Sequence, residues 1–171
     1  EMNSRWTESW ANRPQESRKE YGLAEQKLTR LGDVRFVRYR PNRGATDPRW
    51  DLFSTVIRTN SRSLFPDSQL KRPSLTSAEQ KIISETHLAA VKQGAVELNV
   101  LYVNNRPQAT AYNYCSAEGE LDGVLFGLTP DATLDAATIL QGLMLRDSFG
   151  RGDKRIRFPA GDHQATAKWS N

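Results

Sequence analysis

The tightest constraint on this chain is the stretch from Val96 to Leu128, where residue character alternates with the period of two that an extended strand requires. Val96, Leu98, Val100 and Tyr102 alternate with Glu97 and Asn99, giving a strand over Val96–Val103. Asn104-Asn105-Arg106 follows, and Asn is a residue that accepts the backbone of a tight turn. Ala109–Cys115 reads as a second strand, Ser116–Gly119 as a second turn and Leu121–Leu128 as a third strand. Strands joined by short turns form an antiparallel meander, and its apolar face must be covered by other elements.

Helical patterns supply that cover. Thr76-Ser77-Ala78-Glu79 is a capping box, in which hydroxyl and carboxylate satisfy the first free amides reciprocally. The helix it starts runs over Ser77–Gln93, with Ile82, Ile83, Thr86, Ala90 and Val91 as the expected buried stripe and Gly94 as the stop. Asp47-Pro48 suits an N-cap followed by the first helical position, and predicts a helix over Asp47–Arg62 with Trp50, Phe53, Val56 and Ile57 turned inward. Pro14 opens a further helix to Leu31, whose stripe is Tyr21, Ala24, Leu28 and Leu31, with Gly32 as its end. Val34–Arg40 reads as a strand with Val34, Phe36 and Arg38 on one face. Thr133–Phe149 is a helix carrying Ile139, Leu140, Leu143 and Met144, Arg155–Phe158 a short strand, and residues 63–75 and 159–171 are irregular.

Composition sets limits rather than a function. With 171 residues, 37% hydrophobic and 26% charged, the chain has the size and make-up of one globular domain. Its apolar runs fall far short of the ~20 residues that a bilayer span needs. Glu1 rather than Met stands first, which implies a piece of a longer chain. The net charge of +4 is uneven: residues 1–73 hold 15 Lys/Arg against 9 Asp/Glu. A basic front half can meet nucleic acid or an anionic cofactor, but the arginines are dispersed and no nucleic-acid motif accompanies them, so a solvated surface is the default. Cys115 is the sole cysteine, and His87 and His163 lie far apart in sequence, so neither a disulfide nor a metal site is expected and a reducing, cytoplasmic setting is. Cys115 suits a small buried strand residue; a nucleophile there would need a basic partner that the sequence does not identify.

The order helix, strand, two helices, three antiparallel strands, helix, strand resembles the GNAT acyltransferase fold from residue 34 onward, short of its last helix and strands. It is similar in particular to the acetyltransferase-like branch associated with cellulose biosynthesis, related to the Fem peptidyltransferases. Three passages carry the likeness: Arg18-Lys19-Glu20-Tyr21 with Leu28, Leu31, Gly32 and Val34; the turn Asn104-Asn105-Arg106-Pro107-Gln108-Ala109, with Asn105 where the family has Gly; and Gly161-Asp162 with Trp169. Two departures bear on activity. Ala165 and Thr166 fall where the family's closing motif has Tyr and Lys, and Asp135-Ala136-Ala137 stands in place of a Ser-Pro-Gly-like turn. The resemblance implies an α+β fold with a mixed, largely antiparallel sheet flanked by helices. It divides the chain into a polar lead-in and helix (residues 1–33) and a GNAT-like domain (residues 34–171), incomplete at its C-terminus.

The resemblance also implies chemistry: transfer of an acyl group from acetyl-CoA or another acyl-CoA, or of an aminoacyl group, to an amine. The acceptor is a small molecule or a cell-envelope amine, and a second GNAT-like domain in the same chain is an implied partner. The cofactor pyrophosphate would meet the segment Leu128, Thr129, Asp135, Ala136 and Ala137, where a helix N-terminus favours an anion. Asp131 and Asp135 put negative charge in that segment, which is equally the mark of an ordinary acid-capped helix start. Asp162 is the candidate catalytic residue, to position or deprotonate the amine, or else a turn Asp; His163 beside it is a second possible base. Trp169 and Asn113 are candidate substrate contacts, Trp169 being better suited to packing against the core. Glu97, Asn99 and Asn113 either line an acceptor site or face solvent, and Glu97 suits the solvent-facing role better than Asn113 does. The alternative to an enzyme is a degenerate GNAT-like module that binds or assembles without catalysis.

Overall fold

In the computed structural model, which describes residues 6–60 and 76–158, a five-stranded sheet carries helices on both faces. The elements are α1 (Trp6–Ala11), α2 (Gln15–Leu31), β1 (Val34–Tyr39), α3 (Trp50–Asn60), α4 (Ser77–Gln93), β2 (Val96–Val103), β3 (Arg106–Cys115), β4 (Glu120–Leu128), α5 (Leu134–Arg151) and β5 (Arg155–Arg157). The strands lie in the order β1-β2-β3-β4-β5. The first four are antiparallel, and β5 joins β4 in parallel. Both hairpins of the expected meander thus share one sheet.

Alternation along the strands divides the core in two. Leu101, Val103, Ala109, Ala111 and Leu128 meet Ala24 and Leu28 of α2 and Ile139, Leu140 and Met144 of α5 on one face. Val96, Leu98, Val100, Tyr112 and Leu125 meet Leu52, Phe53 and Val56 of α3 and Ala90 and Val91 of α4 on the other. Burial of such side chains stabilises each face by roughly 1.5–3 kcal/mol per residue before entropy is counted.

Two joints fix the chain path. The β2–β3 turn places both Asn104 and Asn105 at positive φ (50° and 60°), the geometry of the two-residue turn that follows the twist of a hairpin. Asn104 also clamps the α2–β1 junction. Its side-chain amide donates to Leu31 O at 2.8 Å and its Oδ1 accepts from the Asp33 amide at 3.0 Å. Gly32, at φ 149°, leaves room for that side chain; a Cβ there would lie 2.0 Å from Asn104 Oδ1. The second joint is α2 on α5, where the Tyr21 ring sits against Gly142.

Several expectations need correction. α3 starts at Trp50, not Asp47: Arg49 takes positive φ (47°) and its amide donates to Asp47 Oδ1 at 2.9 Å, so Asp47 caps a turn ahead of the helix. Ile82 is 62% exposed and Leu31 58%, and the residues that α4 buries, His87, Ala90 and Val91, all lie in its C-terminal half. α5 continues to Arg151, where Gly152 closes it in the left-handed conformation. Residues 6–11, read as lead-in, form α1, whose Trp6 and Trp10 stack on each other, with Trp6 tilted against Phe149 and Trp10 edge-on to Tyr21. Among the described residues no helix is long and apolar enough to cross a membrane.

The contact between α2 and α5 yields a direct test. A Cβ at position 142 would lie 2.2 Å from the Tyr21 ring, so Gly142→Ala is expected to lower stability by about 1–3 kcal/mol through overpacking. Denaturant midpoints check this, and pairing the change with Tyr21→Ala should recover part of the loss.

Candidate functional site

Strands β4 and β5 run parallel but pair over only Glu120↔Arg155, Leu121↔Ile156 and Asp122↔Arg157. Immediately beyond, the register between β3 and β4 shifts: Asn113 pairs with Gly123 and Tyr112 with Leu125, leaving Val124 without an opposite residue. This is a β-bulge on β4, a feature that bends a strand and leaves a residue out of the ladder. From Gly123 to Leu128 the outer edge of β4 has no partner strand among the described residues. The described pairing of β5 thus ends level with the bulge, where the edge of β4 opens; this junction is the β4–β5 fork.

The turn after β4 leads into α5 at the open end of this fork. Thr129 is tied to β3 by its amide, which donates to Gln108 O at 2.9 Å, while its hydroxyl is buried without a hydrogen-bond partner. Thr133 is the N-cap residue of α5 but makes no side-chain cap bond. Leu128, Ala136 and Ala137 turn their side chains into the core, which leaves only their backbone groups able to meet a ligand. Asp135 pairs with Lys27 of α2 at 3.3 Å, which offsets the negative charge that the sequence places at this helix start. Asp131 is exposed and opposes an anion there. Of the other residues singled out from sequence, Asp162, His163 and Trp169 lie outside the described residues.

A second polar constellation lies beneath the C-terminal half of α5. Glu97 is fully buried, contrary to the expectation of a solvent-facing carboxylate. It shares the strand parity of Leu101 and Val103, so it points into the α2–α5 side of the sheet. Arg38 donates to Glu97 from the neighbouring strand and to Asp147 of α5. Asn99 and Asn113 donate to Glu97 Oε1 at 2.7 and 3.0 Å. Arg40, just beyond β1, places one guanidinium nitrogen 2.7 and 2.8 Å from the two oxygens of Asp153. Asn113 therefore belongs to this buried layer. The bonds from Arg151 and Arg38 outweigh the upward push of burial and hold the Asp147 carboxyl below its usual range. Burial, reinforced by Glu97, pushes the Cys115 thiol up to about 12. Cys115 is thus a protonated, buried thiol rather than a nucleophile.

On the opposite face His87 is fully buried among Trp50, Phe53 and Tyr112. Its Nε2–H donates to Pro48 O at 2.7 Å, which leaves Nδ1 to accept from the Tyr112 hydroxyl at 3.2 Å. Burial lowers its pKa, partly offset by the bond to Pro48. A depressed folded-state value means that this histidine contributes stability above its ordinary value of 6.5, and that the contribution is lost as pH falls through the folded value. The unfolding midpoint should therefore fall as pH drops below about 6.5, and that slope should flatten in His87→Gln. A slope identical in the variant would place the titration elsewhere.

The layer under α5 escaped the sequence reading because charge alone suggested exposure. The parity of Arg38 with Val34 and Phe36, and of Glu97 with Leu101, was the signal that carried it.

The fold finds counterparts among known structures. The chain superposes with TM-score 0.51 and 16% identity on the C-terminal DUF2156 domain of a protein described as a lysylphosphatidylglycerol synthetase from Agrobacterium fabrum, covering 81% of this chain and 39% of that one. The chain thus spans well under half of that structure's length. It is also similar to an aminoglycoside acetyltransferase, meta-AAC0020, from an uncultured soil metagenomic sample. The trehalose complex matches at 12% identity, with TM-score 0.50 and 78% and 82% of the two chains covered. The sisomicin complex matches at 11%, with TM-score 0.51 and 80% and 84% covered. These likenesses show the fold alone. No curated protein matches the sequence. The family model described as an acetyltransferase (GNAT) domain matches residues 15–165, nearly the whole chain, and the protein therefore belongs to the GNAT acetyltransferase domain family.

Proposed function

We propose that the fork between β4 and β5 is an acyl-donor cleft, and that the domain transfers an acyl group from acyl-CoA to an amine. The observation that carries this reading is the unpaired edge of β4 past a bulge, leading into a helix N-terminus. The open edge of β4 offers backbone N–H and C=O groups to an extended ligand containing amides, in the manner of an added strand. The pantetheine arm of CoA is such a ligand. The donors at the start of α5, together with the unpartnered Thr129 hydroxyl, suit its phosphates. The Lys27–Asp135 pair supports the fit by removing an uncompensated negative charge.

The chemistry needs little from side chains. A neutral amine attacks the thioester carbonyl directly, and a preorganised backbone N–H near the bulge stabilises the oxyanion that develops; its collapse breaks the C–S bond, and CoA leaves as a thiolate that takes up a proton. The proton leaves the amine for a base, and Asp162, supported by the closing-motif resemblance, is the proposed residue for that role. Cys115, buried and protonated, takes no part. The second reading is a binding or assembly module that has lost catalysis; exposed Asp131 near the start of α5 and the Ala165-Thr166 departure favour it.

Acetyl-CoA is expected to raise the melting temperature by mass action and to release free thiol when primary amines are supplied. A flat melting curve at millimolar acetyl-CoA would favour the non-catalytic module. Asp162→Asn is expected to lower turnover by roughly two to four orders of magnitude, as loss of a general base does. Unchanged turnover per folded molecule would remove Asp162 from the site.

A further inference from the structure

Strand β5 has little to hold it in place. Its ladder with β4 spans three residues. The ion pairs of Arg155 and Arg157 with Glu120 and Asp122 lie toward the surface, where such pairs contribute little. Yet this strand ends level with the point where the edge of β4 opens, so its placement sets where that opening begins.

The residue that fixes its start is Asp153, two positions before β5 and 3% exposed. Its amide donates to Ser148 O at 3.0 Å, closing the end of α5. The next amide, Lys154, donates to Gly119 O at 2.7 Å, joining the α5–β5 turn to the β3–β4 turn. Its carboxylate is held by Arg40 at 2.7 and 2.8 Å and lies 3.7 Å from Arg38. Both arginines come from β1 or its end, the opposite edge of the sheet from β5. Glu97 in turn fixes Arg38 from β2 and lies 3.8 Å from Arg40.

Stability alone does not account for this layer, since well-packed apolar groups commonly serve a buried position as well as or better than a buried ion pair. What charges add is direction. Apolar contacts are non-directional and tolerate sliding, whereas charge-assisted hydrogen bonds fix distance and angle. We infer that Asp153, gripped by Arg40 and flanked by Arg38, is the positioning residue that fixes β5 at the base of the β4–β5 fork. The effect on donor binding rests on reading the fork as the acyl-CoA cleft; the effect on the strand itself does not.

Asp153→Asn keeps the shape of the side chain and removes its charge. Two readouts are taken on the full chain: segment-resolved hydrogen exchange, and acetyl-CoA affinity by calorimetry. The expected result is exchange about tenfold or more faster at Leu121–Val124 and Arg155–Arg157, with Leu98–Val103 and Ala109–Ala111 unchanged, and an affinity loss of about tenfold, the size of an ordinary coupling between two sites. Exchange that accelerates by one common factor in every strand would make Asp153 a contributor to global stability only, and overturn the inference. Unchanged exchange at the fork would overturn it as well. If Asp153→Asn does not fold, Arg40→Lys keeps the charge with a poorer grip and carries the same test at smaller amplitude. Wild-type protein that binds no acetyl-CoA would remove the proposed function, and the exchange pattern would still decide the positioning role.

Discussion

Glu97 holds its carboxylate in the interior of the sheet, and much of the structure around it is arranged to make that tolerable. A buried charge costs several kcal/mol unless it is paired and hydrogen-bonded. Here Arg38 supplies the pairing and the amides of Asn99 and Asn113 supply two further donors. Asp147 and Asp153 then answer the arginines, and Arg151 answers Asp147. The layer therefore balances three guanidinium groups against three carboxylates, drawn from β1 and its end, β2, α5 and the turn that follows. Removing one partner of such a pair typically costs about 3–5 kcal/mol, because the survivor stays buried. The same face of the sheet is apolar toward the β2–β3 turn, where Leu101, Val103, Ala109 and Leu140 pack. One face thus changes from oily to ionic along the length of its strands.

That division has a consequence for the fork. The apolar end holds α2 and α5 against the sheet, with Tyr21 lodged on Gly142 and Lys27 reaching Asp135 at the start of α5. The ionic end holds the other terminus of α5 and the beginning of β5. The helix is anchored at both ends by different physics, and the strand on either side of it inherits its position. The open edge of β4 lies between those anchors.

Most of the architecture was legible from local pattern. The period-two alternation from Val96 to Leu128, the capping box at Thr76–Glu79 and the left-handed tolerance of Asn104 and Asn105 each reflect a short-range rule, and each stands in the structure. What was not legible depended on tertiary contact. Asp47-Pro48 satisfies the rules for a helix start, yet Asp47 caps a turn and the helix begins at Trp50. Ile82 and Leu31 sit at helical spacing with buried residues but are themselves largely exposed, because spacing alone does not say what packs on a face. Glu97 was read by its charge, when its strand parity pointed inward. The fork was invisible for a different reason: a bulge at Val124 and a three-residue parallel pairing leave no periodic trace in the sequence.

The proposed donor site has a defined address on the described part of the chain: the open edge of β4 and the start of α5. Backbone amide chemical shifts titrated with acetyl-CoA read that address residue by residue. The largest changes are expected on Gly123–Thr129 and Leu134–Ala137, with β1 and α4 unaffected. Changes centred on β1 or α4, or no change at millimolar ligand, would contradict that placement.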